Sequence, residues 1–173
     1  IERRTERRSE IVNRDRPWET PEAEWRGQVN RVRAGKRLAP VRWPGGARCA
    51  FAFSFDCDHE TFEMGAGGGA IGRLAWGEFG RRTGVPRILD VLGKHDLNAS
   101  FFVPAVAGLI EPDALKSITE ADHEIGVHGW IHENTSLLKR DVEKDLMLRA
   151  RDALSAMTGT MPVGHRSANW DLS

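Results

Sequence analysis

The sequence predicts an α/β domain made of successive strand–helix units around a parallel sheet. Two observations carry that prediction. Short apolar runs such as Cys49–Phe55, Ala99–Val103 and Glu124–Val127 alternate with longer stretches of helical periodicity. The side chains richest in chemistry, Asp56 and Asp58 after the first run and His128 and His132 after the third, fall at the C-terminal ends of those runs. Sites in parallel α/β folds gather at that end. A closed barrel and an open sheet both satisfy the pattern.

Residues 1–40 read as an arm of different character, rich in Arg and Glu, poor in apolar residues and broken by Pro17 and Pro21. Within it, Thr20-Pro21-Glu22-Ala23-Glu24 reads as an N-cap, a proline in the first turn and acidic residues that suit a helix N-terminus. Trp25, Val29 and Val32 then recur at helical spacing and give a short helix with one apolar stripe. That stripe either packs on the main domain or crosses to a second subunit.

Residues 41–173 form the main domain. Its first strand is expected over Arg48–Phe55, followed by a loop from Glu60 to Arg73 that carries Gly65-Ala66-Gly67-Gly68-Gly69. The glycine run lacks the Gly-Lys-Ser/Thr of a phosphate loop and reads as a mobile loop over the site. Gly84-Val85-Pro86 opens a helix through Ile88, Leu89, Val91 and Leu92 to Lys94-His95. The strand Ala99–Val103, a helix Pro112–Ala121 and the strand Glu124–Val127 follow. A long helix runs from about Lys139 to Thr158, where Gly159 stops it. Leu146, Ala150, Ala153, Leu154 and Met157 supply its buried face. His123 is expected to cap a turn near the surface, and His59, Glu60 and His165 read as loop residues.

The 173 residues suffice for one domain with a core, burying roughly 70% of the unfolded surface. Twenty-five basic residues balance 25 acidic ones, which argues against nucleic acid or an anionic membrane as a partner held by bulk charge. No apolar run approaches the ~18 residues of a membrane-spanning helix. The stretch Ile1–Arg8 lacks the apolar segment of a secretory signal, so a cytoplasmic location is expected. It starts with Ile rather than Met, so a start further upstream is expected. Cys49 and Cys57 stand eight positions apart on the expected strand, roughly 26 Å if extended at ~3.3 Å per residue. That distance excludes a disulfide between them and leaves two buried thiols in a reducing compartment. The flanking Asp residues raise the Cys57 pKa.

Strand alternation points Asp56 and Asp58 to one side and Cys57 to the other. The four-residue spacing of His128 and His132 brings both imidazoles together within one turn. One carboxylate and two neutral imidazoles suit a divalent metal with a coordination position left open for water. The remaining Asp is then placed to take a proton from that water, which outlines hydrolase chemistry.

Three ordered segments, Ser54-Phe55-Asp56-Cys57-Asp58, His128-Gly129-Trp130-Ile131-His132-Glu133-Asn134 and Arg166-Ser167-Ala168-Asn169-Trp170-Asp171, resemble the motifs of the polysaccharide deacetylase (NodB-homology, carbohydrate esterase 4) superfamily. Gly84–Leu89 and Ala121–Gly126 resemble it too, so the similarity covers about residues 47–173. The resemblance implies a distorted (β/α) barrel, Asp58, His128 and His132 as ligands of one divalent ion (Zn first, Co or another transition metal next), and Asp56 as general base. It also implies that Arg166 orients Asp56, that Trp130 and Trp170 wall a substrate pocket, and that Glu133 and Asn134 form supporting hydrogen bonds behind the ligands. The family often assembles as homo-oligomers.

This sequence departs from the common pattern in three places. Cys57 separates Asp residues that are commonly adjacent, a spacing that resembles a subgroup of peptidoglycan deacetylase-like and allantoinase-like proteins. Ala168 stands where a Pro is common. The later strands, and a late His that usually serves as general acid, have no counterpart before Ser173, so only the first half of the barrel is expected in this chain. The leading functional expectation is metal-dependent hydrolysis of a C–N amide bond, as N-deacetylation of an N-acetylated saccharide. A cytoplasmic hydrolase of a small cyclic amide or ureide, working with or without metal, is the alternative. A non-catalytic carbohydrate-binding module is the third reading.

Overall fold

The computed structural model describes residues 17–31, 35, 40 and 42–172. The chain divides into two compact units, 1–50 and 51–173. The first contains helix α1, Glu22–Val29, which begins one residue later than expected: Pro21 occupies the N-cap position and no side chain caps the helix. Trp25 and Val29 of the expected stripe are exposed. Val32, and the residues 1–8 on which the cytoplasmic expectation rests, lie outside the described residues.

The second unit is α/β. Strands β1 (Ser54–Asp56), β2 (Ser100–Val103) and β3 (Glu124–Val127) form a parallel sheet in that order. The register sets Asp56 beside Phe102 and Phe102 beside Gly126. Val127 also bridges His165 in parallel, so the segment before Arg166 joins the sheet beyond β3. Gly126 is needed for that packing: a Cβ there would fall 2.6 Å from the Phe102 ring.

Helices α2 (Thr61–Gly65), α3 (Ile71–Phe79) and α4 (Val85–Lys94) connect β1 to β2. A five-residue π-helical turn, Gly80–Gly84, joins α3 to α4. Helices α5 (Ala105–Ile110) and α6 (Pro112–Glu120) connect β2 to β3, and α7 (Arg140–Thr158) follows. Proline in the first turn starts α4 and α6, where a missing N–H costs nothing. Gly159 ends α7 at φ +73°, a left-handed cap that glycine adopts without strain. The core joins Phe101 and Val103 of β2 to Ile125 and Val127 of β3, Leu115 and Ile118 of α6, and Ala150 and Leu154 of α7. No helix among the described residues is long and apolar enough to cross a membrane.

Two expectations are corrected. The first strand begins at Ser54, not Arg48, because sheet pairing reaches back only to the Phe53 carbonyl, which accepts from the Ser100 N–H at 3.1 Å. Phe51 is accordingly exposed, and so is Cys49, which was expected to be a buried thiol on that strand. The glycine-rich stretch is not a free loop. Glu63, almost fully buried, accepts a hydrogen bond from the Ala70 N–H at 3.0 Å and pins the glycines between α2 and α3.

Candidate metal centre and active site

The site is built where β1 and β3 end. The Cys57 N–H donates to the Phe102 carbonyl at 2.8 Å, extending the ladder one step past Asp56. Cys57 is buried in the core, and Asp56 and Asp58 border a cleft whose lining also takes in Phe55 and Cys57. Burial, with the Asp58 and Asp56 charges, pushes the Cys57 thiol up to about 12.

His128 and His132 approach Asp58 from β3. His128 Nε2 lies 3.3 Å from Asp58 Oδ1, and His132 Nε2 lies 3.3 Å from Asp58 Oδ2. Both imidazoles are buried, at 2% and 3% side-chain exposure, and their rings meet edge-on with centroids 5.1 Å apart. His128 Nδ1 donates to the Arg166 carbonyl at 2.7 Å. That bond places the proton of a neutral His128 on Nδ1 and leaves the Nε2 lone pair facing a carboxylate oxygen. Burial works against charge on both partners. Once protonated, the two imidazoles hold Asp58 well below the usual carboxylate range, and Asp58 and the Arg166 carbonyl favour that charged form of His128.

The two histidines converge by a different route from the single turn the spacing suggested. The segment 128–134 is not helical: Gly129 takes φ +83° and His132 φ +65°. Glu133 braces it, its carboxylate accepting from the Trp130 N–H at 3.0 Å and the Ile131 N–H at 2.8 Å. The Ala105 and Val106 N–H groups donate to the carbonyls of Gly129 and Trp130, docking the loop on the start of α5.

The donor set fits a divalent cation. One ligand atom from each of Asp58, His128 and His132 lies within 4.8 Å of the others. Asp58 Oδ1 is buried and accepts no hydrogen bond. An ion set between these atoms would satisfy that orphan and remove the facing of lone pairs.

Asp56 stands beside this cluster. Arg166 Nη1 donates to Asp56 Oδ1, and Nη2 donates to Ser54 Oγ at 2.7 Å. The guanidinium also sits 4.1 Å from the Phe102 ring centroid, so three groups fix its plane. Thr135 and Ser167 both donate to the Asp171 carbonyl, and Asn169 Nδ2 donates to Asn134 Oδ1 at 2.7 Å. These bonds tie the Arg-led loop to the histidine loop.

A cleft of about 670 Å³ opens from Asp56 and Asp58, with Phe55, Phe62 and Trp76 as its aromatic lining. Trp130 and Trp170 lie elsewhere. Trp130 packs against the core under Arg149, whose guanidinium is 3.9 Å from the ring centroid, and Trp170 is exposed at φ +52°. Sequence reasoning missed Phe62, whose ring lies 5.6 Å from that of His132, together with Trp76, and neither belongs to a pattern that marks a site. Ser54 opens the first motif but was given no role there. His123 is no surface cap: its ring stacks on Phe101 at 5.4 Å and both ring nitrogens are buried without a hydrogen-bond partner.

A family model for polysaccharide deacetylase matches residues 61–169, a segment that contains His128, His132, Glu133 and Arg166 and starts just past Asp58. The chain belongs to the polysaccharide deacetylase family. A peptidoglycan deacetylase of Helicobacter pylori is 30% identical over 124 residues, spanning 70% of this chain and 42% of that protein. A Mycobacterium smegmatis crystal structure described as a polysaccharide deacetylase superposes with a TM-score of 0.73 at 34% identity, over 80% of this chain and 49% of the other. The crystal structure of Puue allantoinase gives 0.66 at 26% identity, over 78% of this chain and 53% of the other. The chain thus spans about half, or less, of each of these relatives. The three-stranded parallel sheet is consistent with part of a barrel.

Proposed function

We propose that the protein containing this chain hydrolyses a C–N amide bond by metal-assisted attack of water, removing the acetyl group of an N-acetylated saccharide. The observation that carries the reading is the pairing of two differently treated carboxylates. Asp58 faces two buried imidazoles with an orphaned oxygen, while Asp56, two residues away, is held by Arg166.

Asp58, His128 and His132 would hold a divalent cation, which would supply Lewis acidity for the water and the amide carbonyl. Asp56 accepts the proton of the attacking water. Arg166 occupies Asp56 Oδ1, so the proton goes to the other oxygen, and the Ser54 hydroxyl and the Phe102 ring keep the guanidinium from following the substrate. The His128 bond to the Arg166 carbonyl joins the metal-holding and proton-accepting halves through one residue. The cleft's aromatic lining offers Phe62 and Trp76 as faces for a sugar ring. Its volume of about 670 Å³ leaves room for a sugar ring.

The similarity to an allantoinase, together with the spaced Asp56-Cys57-Asp58, favours a second reading as a hydrolase of a cyclic ureide. Elemental analysis and a substrate comparison separate the two. The first reading expects one divalent ion per chain, lost in Asp58→Ala and His128→Ala, and release of acetate from N-acetylglucosamine oligomers. Asp56→Asn is expected to keep the ion and lose roughly 10²–10⁴ in kcat. Ring opening of a ureide by metal-free protein, with the oligomers untouched, would reverse the choice.

A further inference from the structure

Arg81 belongs to none of the three motifs, yet it exposes only 9% of its side chain. Its Nε and Nη2 donate to Glu60 Oε1 at 3.0 and 2.9 Å, and Nη1 donates to Glu111 Oε2 at 2.6 Å. Glu60 lies two residues past Asp58, and its second oxygen, Oε2, is buried without a partner. A buried ion pair of this kind seldom stabilises a fold more than apolar packing of the same volume. What it contributes is geometry, and the turn it grips needs holding.

That turn, residues 58–61, is constrained from three sides. The Asp58 carbonyl accepts both the Thr61 N–H at 2.9 Å and the Thr61 hydroxyl at 2.5 Å. His59 stands at φ +49°, a left-handed conformation that a side chain adopts only when its surroundings impose it. Gly77 of α3 presses backbone against backbone on His59 and Glu60, with no room for a Cβ. Arg81 closes the third side through the Glu60 carboxylate.

We propose that Arg81 is a positioning residue for the candidate metal centre: its guanidinium, shared by Glu60 and Glu111, locks the His59–Glu60 turn and thereby sets the Asp58 carboxylate against His128 and His132. The proposal rests on the reading of Asp58, His128 and His132 as ligands of a divalent cation. Without Arg81, Glu60 is a buried carboxylate with no counter-charge. It moves towards water, and the turn bearing Asp58 moves with it.

The test is titration of Zn²⁺ into the metal-free full-length protein that contains this chain, against a chromophoric chelator, with folding followed by circular dichroism. Arg81→Met is expected to stay folded and weaken Zn²⁺ binding roughly 10- to 100-fold. Arg81→Lys keeps the charge without the fork and falls between the two. A merely structural role lowers the unfolding temperature and leaves the Zn²⁺ affinity of the folded protein unchanged, and that result overturns the proposal. If Arg81→Met does not fold, Glu60→Gln decides, with an expected loss of roughly three- to tenfold. Unchanged affinity in that variant is equally fatal. Zn²⁺ binding absent from the unaltered protein, or undiminished in Asp58→Ala, overturns the metal reading itself and this proposal with it.

Discussion

Replacing Gly65 by Ala sets two opposing effects against each other, and the structure decides which wins. Gly65 ends α2, where alanine favours helix by up to about 1 kcal/mol. A Cβ on Gly65, however, would lie 2.5 Å from the His132 carbonyl oxygen and 2.8 Å from its carbon, with the Ile131 oxygen nearer still. Restoring ordinary contact with the Ile131 oxygen requires the backbone to part by about 1.1 Å (from 2.3 to 3.4 Å). Overpacking of that size costs about 1–3 kcal/mol. The yielding side is the histidine loop, because His132 already sits at the unfavourable φ of +65°. A net loss of about 1–2 kcal/mol is expected, or about 2–8 °C in Tm for a chain of this length. Zn²⁺ affinity should fall with it, since His132 is displaced. Urea denaturation of the metal-free protein reads the first effect without ligand linkage, and Zn²⁺ titration reads the second. Gly72→Ala is the matched control: it lies within α3 with open space around its Cβ, so the same change should stabilise by about 0.5–1 kcal/mol. Shifts of the same sign in both variants, or a Gly65→Ala chain as stable and as metal-competent as the original, refute the reasoning.

His123→Phe should stabilise the protein by about 1–3 kcal/mol in urea denaturation, because it removes two buried unpartnered nitrogens and keeps the stack on Phe101; a destabilised variant would mean those nitrogens are satisfied in solution. The two cysteines should differ in reactivity. With its pKa raised to about 12, Cys57 stays a neutral thiol throughout the working range, and it is buried as well, so native protein at pH 8 should release one equivalent of chromophore from a disulfide reagent, from exposed Cys49, and two in denaturant. Arg166→Lys can engage Asp56 but cannot also reach Ser54 in the same plane, so kcat for amide hydrolysis should fall about 10- to 100-fold with KM little changed. An equal rise in KM alone would place Arg166 in substrate binding instead.

The elements legible in the sequence are those whose cause is local. Strands β2 and β3 and helices α4, α6 and α7 lie where periodicity, prolines in first turns and Gly159 put them, within a residue or two. The family, too, was legible, because its three motifs are short and ordered. The misses share a different cause. Cys49–Phe53 is an apolar run like that of a strand but, among the described residues, pairs with no neighbour before Phe53, and a strand is defined by its partner. The glycines after Gly65 look mobile until the buried Glu63 carboxylate, invisible as such in a polar stretch, anchors them. The histidine spacing suggested a helical turn, whereas the loop closes through two left-handed residues and the carboxylate of Glu133.

The same contrast holds within the site. Asp56 and Asp58 share a side by strand alternation, and that much follows from two positions in the chain. What distinguishes them is a partner more than a hundred residues away: Arg166 takes Asp56, and its carbonyl orients His128, which turns to Asp58. Arg81 grips the turn beyond Asp58 from 21 residues along the chain. Periodicity has no purchase on such contacts, because nothing local rewards an Arg at position 81 over any other solvated residue. Local pattern therefore marks the residues proposed to carry the chemistry, and the different surroundings of two neighbouring carboxylates come from partners that the fold brings from elsewhere.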